Sequence, residues 1–403
     1  MTWLELADDT PFGLDNLPYG AFSVGGVPER RIGVPVGEHV LDLTAAAAET
    51  AAAFAPLLTS GVLNPLLAAG PGTWREVRER LRDWLTEPRY ADQLRKHLVP
   101  QGEVTTHLAF EVADYVDFYS SEHHALNASE IFRPDAAELP PNWKHLPIGY
   151  HGRAGTVFAS GTPVVRPRGQ RKPRSADAPS FGPSRLLDIE AEVGFVVGAP
   201  STVGTPVSTE DFADHVFGVC LINDWSARDL QAWESQPLGP FLAKSFATSV
   251  SPWIVPLAAL DHARVEGPKQ DPEPFDYLRT TENWGLDLAL EIRLNGHLVS
   301  SPPFATQYWT APQQLAHLTI NGASLRTGDL YASGTVTGPE RDQRGSLLEL
   351  SWGGREPFEL PDGQTRTFLE DGDEVVISGT APGPGGARIG FGEVRGKVLP
   401  SPG

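Results

Sequence analysis

Carboxylates recur in this sequence at spacings that could bring them to one point. Residues 188–192 read DIEAE, inside the run LLDIEAEVGFVVG. The period-two alternation predicts a β-strand. Asp188, Glu190 and Glu192 fall on one face; Ile189, Ala191 and Val193 fall on the other. Like charges repeated every ~7 Å along a strand repel each other, and acids are poor strand formers. Two explanations are open. The face is solvated, or a hard divalent cation sits among carboxylates that alternate positions present to one point. The next residues, VGFVVG, are apolar on both faces and carry the strand into a core, which weakens the first.

Three further stretches bear on the same chemistry. DYVDFYSSEHH (114–124) sets Asp114 and Asp117 among Tyr115, Phe118 and Tyr119, and ends in His123 and His124. Adjacent histidines point in different directions. A lone histidine is more often structural than catalytic; the acidic, aromatic company strengthens the catalytic reading here and leaves both open. NDWSARDLQAWESQPLGPFLAKS (223–245) follows the apolar run VFGVCLI. Asp224 stands where a strand gives way to a helix, where helix capping is the ordinary role. Asp224, Arg228, Gln231 and Ser235 are spaced four, three and four apart, which places them on one helical stripe. Such a stripe faces solvent or the wall of a polar pocket. Leu230 and Trp233 are expected to anchor another face, Pro237 to end the helix, and Lys244 to follow in a Gly/Pro-framed loop. Finally, SLLELSW (346–352) reads as a strand with Leu347, Glu349 and Ser351 on one face. A half-buried acid there, near a histidine, would raise the imidazole's basicity and fix its tautomer.

These residues need a scaffold. Residues 1–40 hold short strand-like runs, GAFSVGG, RRIGVPVG and EHVLDL, which suit a small barrel. Residues 44–98 turn helical. In TWREVRERLRDWL, Trp74, Val77, Leu81, Trp84 and Leu85 form one stripe, and Thr73 with Glu76 reads as a capping box. After residue 104 short strands, glycines and prolines dominate, with helices expected only near 225–234 and 311–319. A boundary near residue 110 separates 1–110 from 111–403. The whole reads as mostly β, the larger part mostly antiparallel. GTAPGPGGARIGFG (379–392) reads as a tight hairpin.

Composition narrows the function. The chain has 403 residues, 40% hydrophobic and 21% charged, as globular proteins do. The formal net charge is −19. The best basic stretch, RPRGQRKPR (166–174), reads as an exposed loop, so no nucleic-acid partner is expected. The single cysteine, Cys220, excludes an internal disulfide and reads as a small core residue. No signal-peptide pattern and no long apolar run appears, so neither secretion nor a membrane is expected, and the cytoplasm is. There is no phosphate-binding loop, dinucleotide fingerprint, nucleophile elbow or H-E-x-x-H motif. Carboxylate chemistry remains.

DYVDFYSS followed by HHA, LPIGYHGR, LLDIEAEVGF, NDWSARDLQAWE, PLGPFLAKSF, ASGT and LLELSW, in this order, resemble the fumarylacetoacetate hydrolase family. The resemblance runs from LPYGAFS (17–23) to GKVLP (396–400). It implies a small N-terminal SH3-like domain and a C-terminal catalytic β-roll, in a homodimer. It implies a divalent cation, Ca2+ or Mg2+, on Asp117, Glu190, Glu192 and Asp224, which leaves Asp188 outside the ligand set. His124 falls on the general base and Glu349 on its carboxylate partner. Arg228, Gln231 and Lys244 fall on oxyanion-stabilising or substrate-binding positions, and Tyr119, Arg133, Tyr150 and Thr335 on substrate contacts. Asp224, Lys244 and Thr248 fall on a second cation site. Ser235 stands where the family often has a substrate-contacting Tyr. The implied reaction is hydrolysis of the carbon–carbon bond of 4-fumarylacetoacetate, a small diketo-diacid, to fumarate and acetoacetate, the last step of tyrosine and phenylalanine breakdown. An acylpyruvate hydrolase or a diene-dioate isomerase would use the same metal site. A non-catalytic calcium-binding module would need the acids but neither His124 nor Glu349.

Overall fold

Short β-branched runs flank a helical middle in the first hundred residues, and the chain folds accordingly. The computed structural model describes residues 2–173, 175–282 and 284–402. Strands Gly20–Val24, Arg31–Val36, His39–Asp42, Leu98–Pro100 and Val104–His107 make one antiparallel sheet, with Leu98–Pro100 and Val104–His107 at its edges. Between the third and fourth strands run the helices Leu43–Glu49, Asn64–Ala68, Gly70–Thr86 and Ala91–Leu94. Val77, Leu81, Trp84 and Leu85 are buried along one side of Gly70–Thr86. The expected capping box at Thr73 does not form. The helix starts earlier, with Pro71 in its first turn, and the Thr73 hydroxyl donates to the Ala69 carbonyl instead. Proline's fixed φ favours that start.

This N-terminal part shares a core with the larger C-terminal part. Tyr19, Leu67 and Trp84 pack in one cluster with Val196, Phe217, Cys220, Ile222 and Leu330. Trp74 meets Phe217 edge-on at 5.4 Å.

Beyond residue 110 an eight-stranded sheet runs in the order Gly149–His151, Tyr115–Phe118, Leu330–Ala332, Ala191–Val197, Val216–Asp224, Thr248–Val250, Val157–Ala159, with Val255–Pro256 also on Val216–Asp224. Two of its pairings are parallel, Leu330–Ala332 with Tyr115–Phe118 and Thr248–Val250 with Val157–Ala159. The sheet is therefore mostly antiparallel, as expected, with two parallel pairings that the sequence pattern did not show. A second sheet orders His297–Ser300, Ala289–Leu294, Glu374–Pro382, Arg388–Leu399 and Val164–Val165. Its long hairpin turns at residues 383–387, within the Gly-rich stretch. Phe195, Val219, Leu221, Leu290, Ile377 and Phe391 fill the core between the sheets. Helix and strand occupy similar shares of the chain, so the architecture is sheet-rich and mixed.

Several local expectations change. SLLELSW is not a strand: Leu347–Leu350 is a helix. A further helix, Glu122–Phe132, carries the histidines. DIEAE is not one continuous strand: Leu187–Asp188 and Ala191–Val197 belong to different sheets, with Glu190 between them. Part of the basic stretch, Arg168–Arg171, is a strand paired with Ser180–Pro183; its last residue, Arg174, lies outside the described residues. Among the described residues no helix is long and apolar enough to cross a membrane.

Candidate active site

The Glu122–Phe132 helix begins where Ser121 caps it. The Ser121 hydroxyl accepts from the His124 N–H at 3.1 Å and donates to the Thr337 carbonyl at 3.1 Å. This start buries His124 with Ala125 and leaves His123 half exposed. His124 Nδ1 lies 2.8 Å from Glu349 Oε2. Opposite a carboxylate that can only accept, Nδ1 carries the proton, and Nε2 keeps a free lone pair. Glu349 is fully buried and its oxygens are filled. Oε2 also accepts from Ser346 Oγ at 2.7 Å and Thr337 Oγ1 at 3.1 Å, and Oε1 accepts from Asn127 Nδ2 at 2.9 Å. Burial pushes this carboxyl up, but His124 and the hydrogen bonds outweigh it and hold it below the usual range.

The acids come from three strands and the residue before one of them. Glu190 immediately precedes Ala191–Val197 and Glu192 lies in it, Asp224 ends the paired strand Val216–Asp224, and Asp117 sits on Tyr115–Phe118. Asp224 does not cap the following helix, Arg228–Glu234, whose N-cap is Ala227. Asp117, Glu190, Glu192 and Asp224 are all buried and each offers an oxygen within 4.8 Å of the others. Asp117 Oδ1 and both oxygens of Glu192 have no hydrogen-bond partner among the described residues. Burial, reinforced by neighbouring acids, pushes Asp117 and Glu192 well above the carboxylate range and raises Asp224 less far. Glu190 goes the other way: Lys244 and Arg228 outweigh its burial and hold it far down.

Lys244 Nζ donates to Asp224 Oδ2 at 2.7 Å and also to Glu190 Oε2. Thr248 Oγ1 donates to Asp224 Oδ1 at 2.9 Å, and the Tyr150 hydroxyl donates to Asp224 Oδ2 at 3.4 Å. Arg228 bridges Glu190 Oε1 at 2.7 Å and Gln231 Oε1 at 3.1 Å through Nη1, while Nε donates to Asp188 Oδ2 at 2.7 Å. Five buried carboxylates, counting Asp188, thus face two cationic side chains. Unpaired buried oxygens inside such a negative cluster fit a hard divalent cation, whose preferred ligands are carboxylate oxygens.

Other expected residues divide. The Tyr119 ring stands edge-on to His124, centroids 5.4 Å apart, and the Thr335 hydroxyl is buried without a partner among the described residues. Gln231 reaches the cluster through Arg228. The Ser235 hydroxyl instead donates to the Gln231 carbonyl at 2.6 Å, back onto its own helix. Arg133 is exposed and its guanidinium donates to Ser129 Oγ at 3.3 Å. Leu230 is buried as expected, but Trp233 is 39% exposed and meets the Arg168–Arg171 strand only at the surface, its indole N–H donating to Gln170 Oε1 at 3.3 Å. A cleft of about 290 Å³, lined by Tyr150, Arg153, Asp224, Phe241, Lys244 and Thr248, opens beside the Lys244 end of the cluster.

Sequence reasoning missed Asn127, Thr337 and Ser346 as partners of Glu349. One signal was available: Ser346-Leu-Leu-Glu349 fits the S-x-x-E pattern of a helix N-terminus.

Comparison with known proteins matches residues 114–399 to the family model described as fumarylacetoacetate (FAA) hydrolase C-terminal, and residues 15–109 to the model described as fumarylacetoacetase N-terminal. The chain belongs to the fumarylacetoacetate hydrolase family. Family relatives include the fumarylacetoacetase of Homo sapiens, 46% identical with 100% of this chain and 99% of the relative covered. The fumarylacetoacetase of Caenorhabditis elegans is 48% identical, with 99% of each covered. Among solved structures, a fumarylacetoacetate hydrolase from Exiguobacterium antarcticum shares the fold at TM-score 0.55 and 18% identity, covering 95% of this chain and 99% of its own. The acidic cluster, His124 and Glu349 all fall within the C-terminal family match.

Proposed function

We propose that this chain hydrolyses the carbon–carbon bond of 4-fumarylacetoacetate to fumarate and acetoacetate, the last step of tyrosine and phenylalanine breakdown. One observation carries the reading: a His124–Glu349 pair, built from segments 225 positions apart, stands with four converging buried carboxylates in a chain whose full-length relatives are fumarylacetoacetases.

Asp117, Glu190, Glu192 and Asp224 would hold a Ca2+ or Mg2+ ion, which when bound would supply Lewis-acid stabilisation of developing negative charge. The remaining steps belong to the side chains. His124 Nε2 takes a proton from water while Glu349 keeps Nδ1–H in place. The hydroxide adds to the carbonyl next to the fumaryl double bond. Arg228, whose Nη2 has no partner among the described residues, Lys244 and Gln231 offset the charge on the resulting oxyanion. The carbon–carbon bond then breaks, its electron pair leaves with the acetoacetate carbon, and the proton on His124 Nε2 moves to that carbon. Tyr119, Tyr150, Thr335 and Arg133 contact the substrate's polar ends in this reading; Arg133 must swing inward to do so. Ser235 does not, because its hydroxyl is turned onto Gln231. A second cation at Asp224, Lys244 and Thr248 is a lesser element, since the Lys244 ammonium has no lone pair and only its main-chain oxygen could ligate.

The N-terminal sheet is proposed as the SH3-like domain, ending near residue 110, and the remainder as the β-roll. A homodimer working in the cytoplasm completes the proposal. The experiment is direct. Consumption of fumarylacetoacetate is followed with its two products quantified, before and after chelation and after returning Ca2+ or Mg2+. Turnover that chelation abolishes and cation restores is expected. Turnover of an acylpyruvate, with fumarylacetoacetate left intact, would replace this reading.

A further inference from the structure

Asp188 is the one acid of DIEAE that the metal cluster and the chemistry leave unused. It is fully buried, on the short strand Leu187–Asp188, opposite Ser226 of the strand that leads into Arg228. Its oxygens are filled from three directions. Oδ2 accepts from Arg228 Nε at 2.7 Å and from the Leu348 N–H at 3.1 Å. Oδ1 accepts from the Leu347 N–H and the Ile189 N–H, each at 2.8 Å. Leu347 and Leu348 open the short helix that carries Glu349. Their N–H groups have no partner within that helix.

We propose that Asp188 is a positioning residue that locks two arms of the site to each other, the guanidinium of Arg228 and the helix through which Glu349 holds His124. The geometry leaves little alternative arrangement. Asp188 fixes Arg228 through Nε alone, so Nη1 is aimed at Glu190 and Gln231 and Nη2 stays open. The same carboxylate fixes the main chain immediately before Glu349. Moving either arm breaks a charge-assisted hydrogen bond to the other's anchor. An amide at this position cannot substitute, because one of its two ends is a donor facing either Arg228 Nε or the backbone N–H groups.

The test is Asp188→Asn in the full-length enzyme with its cation. Loss of charge-assisted bonds at both arms predicts that kcat falls roughly 10- to 100-fold while KM stays within about threefold. The second readout uses no substrate: the downfield proton resonance of His124 Nδ1–H, which the Glu349 hydrogen bond produces, shifts or broadens. A role limited to bulk stability, or to Arg228 alone, leaves that resonance in place, and such a result in a folded variant overturns the proposal whatever kcat does. A moved resonance with unchanged turnover also overturns the positioning role, whereas absence of fumarylacetoacetate turnover in the wild type would count against the hydrolase reading on which the kcat arm rests and leave the resonance arm standing. Should D188N not fold, Arg228→Lys carries the test. It keeps the charge beside Glu190 but removes the Nε donor. Hydrogen exchange at the Leu347 and Leu348 amides is then expected to speed up about tenfold, and unchanged exchange overturns the coupling.

Discussion

His124 Nδ1 and Glu349 Oε2 meet at 2.8 Å across 225 positions of sequence, each on a helix whose first turn is capped by a serine, Ser121 and Ser346. The two caps set the two helix starts, and the starts set which side chain turns inward. Asn127 and Thr337 then saturate the carboxylate, leaving it one function, which is to hold the imidazole.

Glu349→Gln is expected to lower kcat roughly 10²-fold while leaving cation affinity intact, because the amide no longer stabilises the imidazolium that forms when His124 takes a proton. Stability carries a second signature. The Glu349 carboxyl sits below its usual range in the folded protein. Its contribution to stability is therefore present above the unfolded-state value and is lost as pH falls through the folded one. Melting curves of wild type and E349Q should differ at neutral pH and converge under acid; a constant gap would count against the assignment.

His124→Ala should lose roughly 10²- to 10⁴-fold in kcat and still bind the cation, since no carboxylate of the cluster changes. Isothermal titration with Ca2+ or Mg2+ checks the second half. A variant that keeps its turnover removes His124 as the base.

Lys244→Met removes the counter-charge shared by Glu190 and Asp224. Breaking a buried ion pair by deleting one partner typically costs about 3–5 kcal/mol, so the metal-free variant should melt well below wild type. Added cation, which replaces the lost positive charge among the same oxygens, should recover part of that difference in a thermal scan. Turnover should not return, because the ammonium also offsets the oxyanion.

Gly334→Ala tests the backbone beneath Thr335. Gly334 has φ +78° and a Cβ there would stand 2.1 Å from the Phe118 carbonyl oxygen. Both the left-handed conformation and the close approach require glycine. The substitution should destabilise the protein by roughly 1–3 kcal/mol and, by displacing Thr335 and the strand bearing Asp117, should weaken cation binding. Calorimetry with a cation titration checks both.

The site was more legible than the elements that build it. The acidic stretches, the His123–His124 pair and Glu349 could be picked out because their types are costly in apolar surroundings and so stand out against them, whereas the choice of His124 over His123 and of four acids without Asp188 comes from the family resemblance. The strand reading of SLLELSW fails because a short apolar run does not distinguish strand from buried helix; the S-x-x-E signal is what decides it. The Glu122–Phe132 helix escapes a periodicity reading because its apolar positions are few and small, Ala125 and Ala128 among them. The helical stripe extends one element too far: Asp224 and Arg228 both reach Glu190, yet Asp224 does so from the end of a strand. The role of Asp188 depends on Leu347 and Leu348, which no local pattern connects to it. Parallel pairings such as Leu330–Ala332 on Tyr115–Phe118 are set by long-range topology, which short-range alternation does not encode.

Chelation should make the protein's stability depend on pH in a sign opposite to that of most acid-sensitive folds. Asp117 and Glu192 sit well above their usual values, and Asp224 above its own, because burial and mutual repulsion favour the protonated form. In the metal-free protein these groups bind more protons folded than unfolded, so stability falls as pH rises from the ordinary carboxylate range toward neutrality. Glu190, held down by Lys244 and Arg228, changes stability only below the ordinary carboxylate range and so adds no slope in this window. A divalent cation reverses the slope, since it binds the deprotonated oxygens and competes with protons for them. Scanning calorimetry between about pH 5 and pH 8, with chelator and with saturating Ca2+ or Mg2+, should show melting temperatures that separate progressively as pH rises. Cation uptake should release protons, measurable as a buffer-dependent enthalpy. Parallel melting curves with and without cation across that range would mean that these carboxylates do not share an ion.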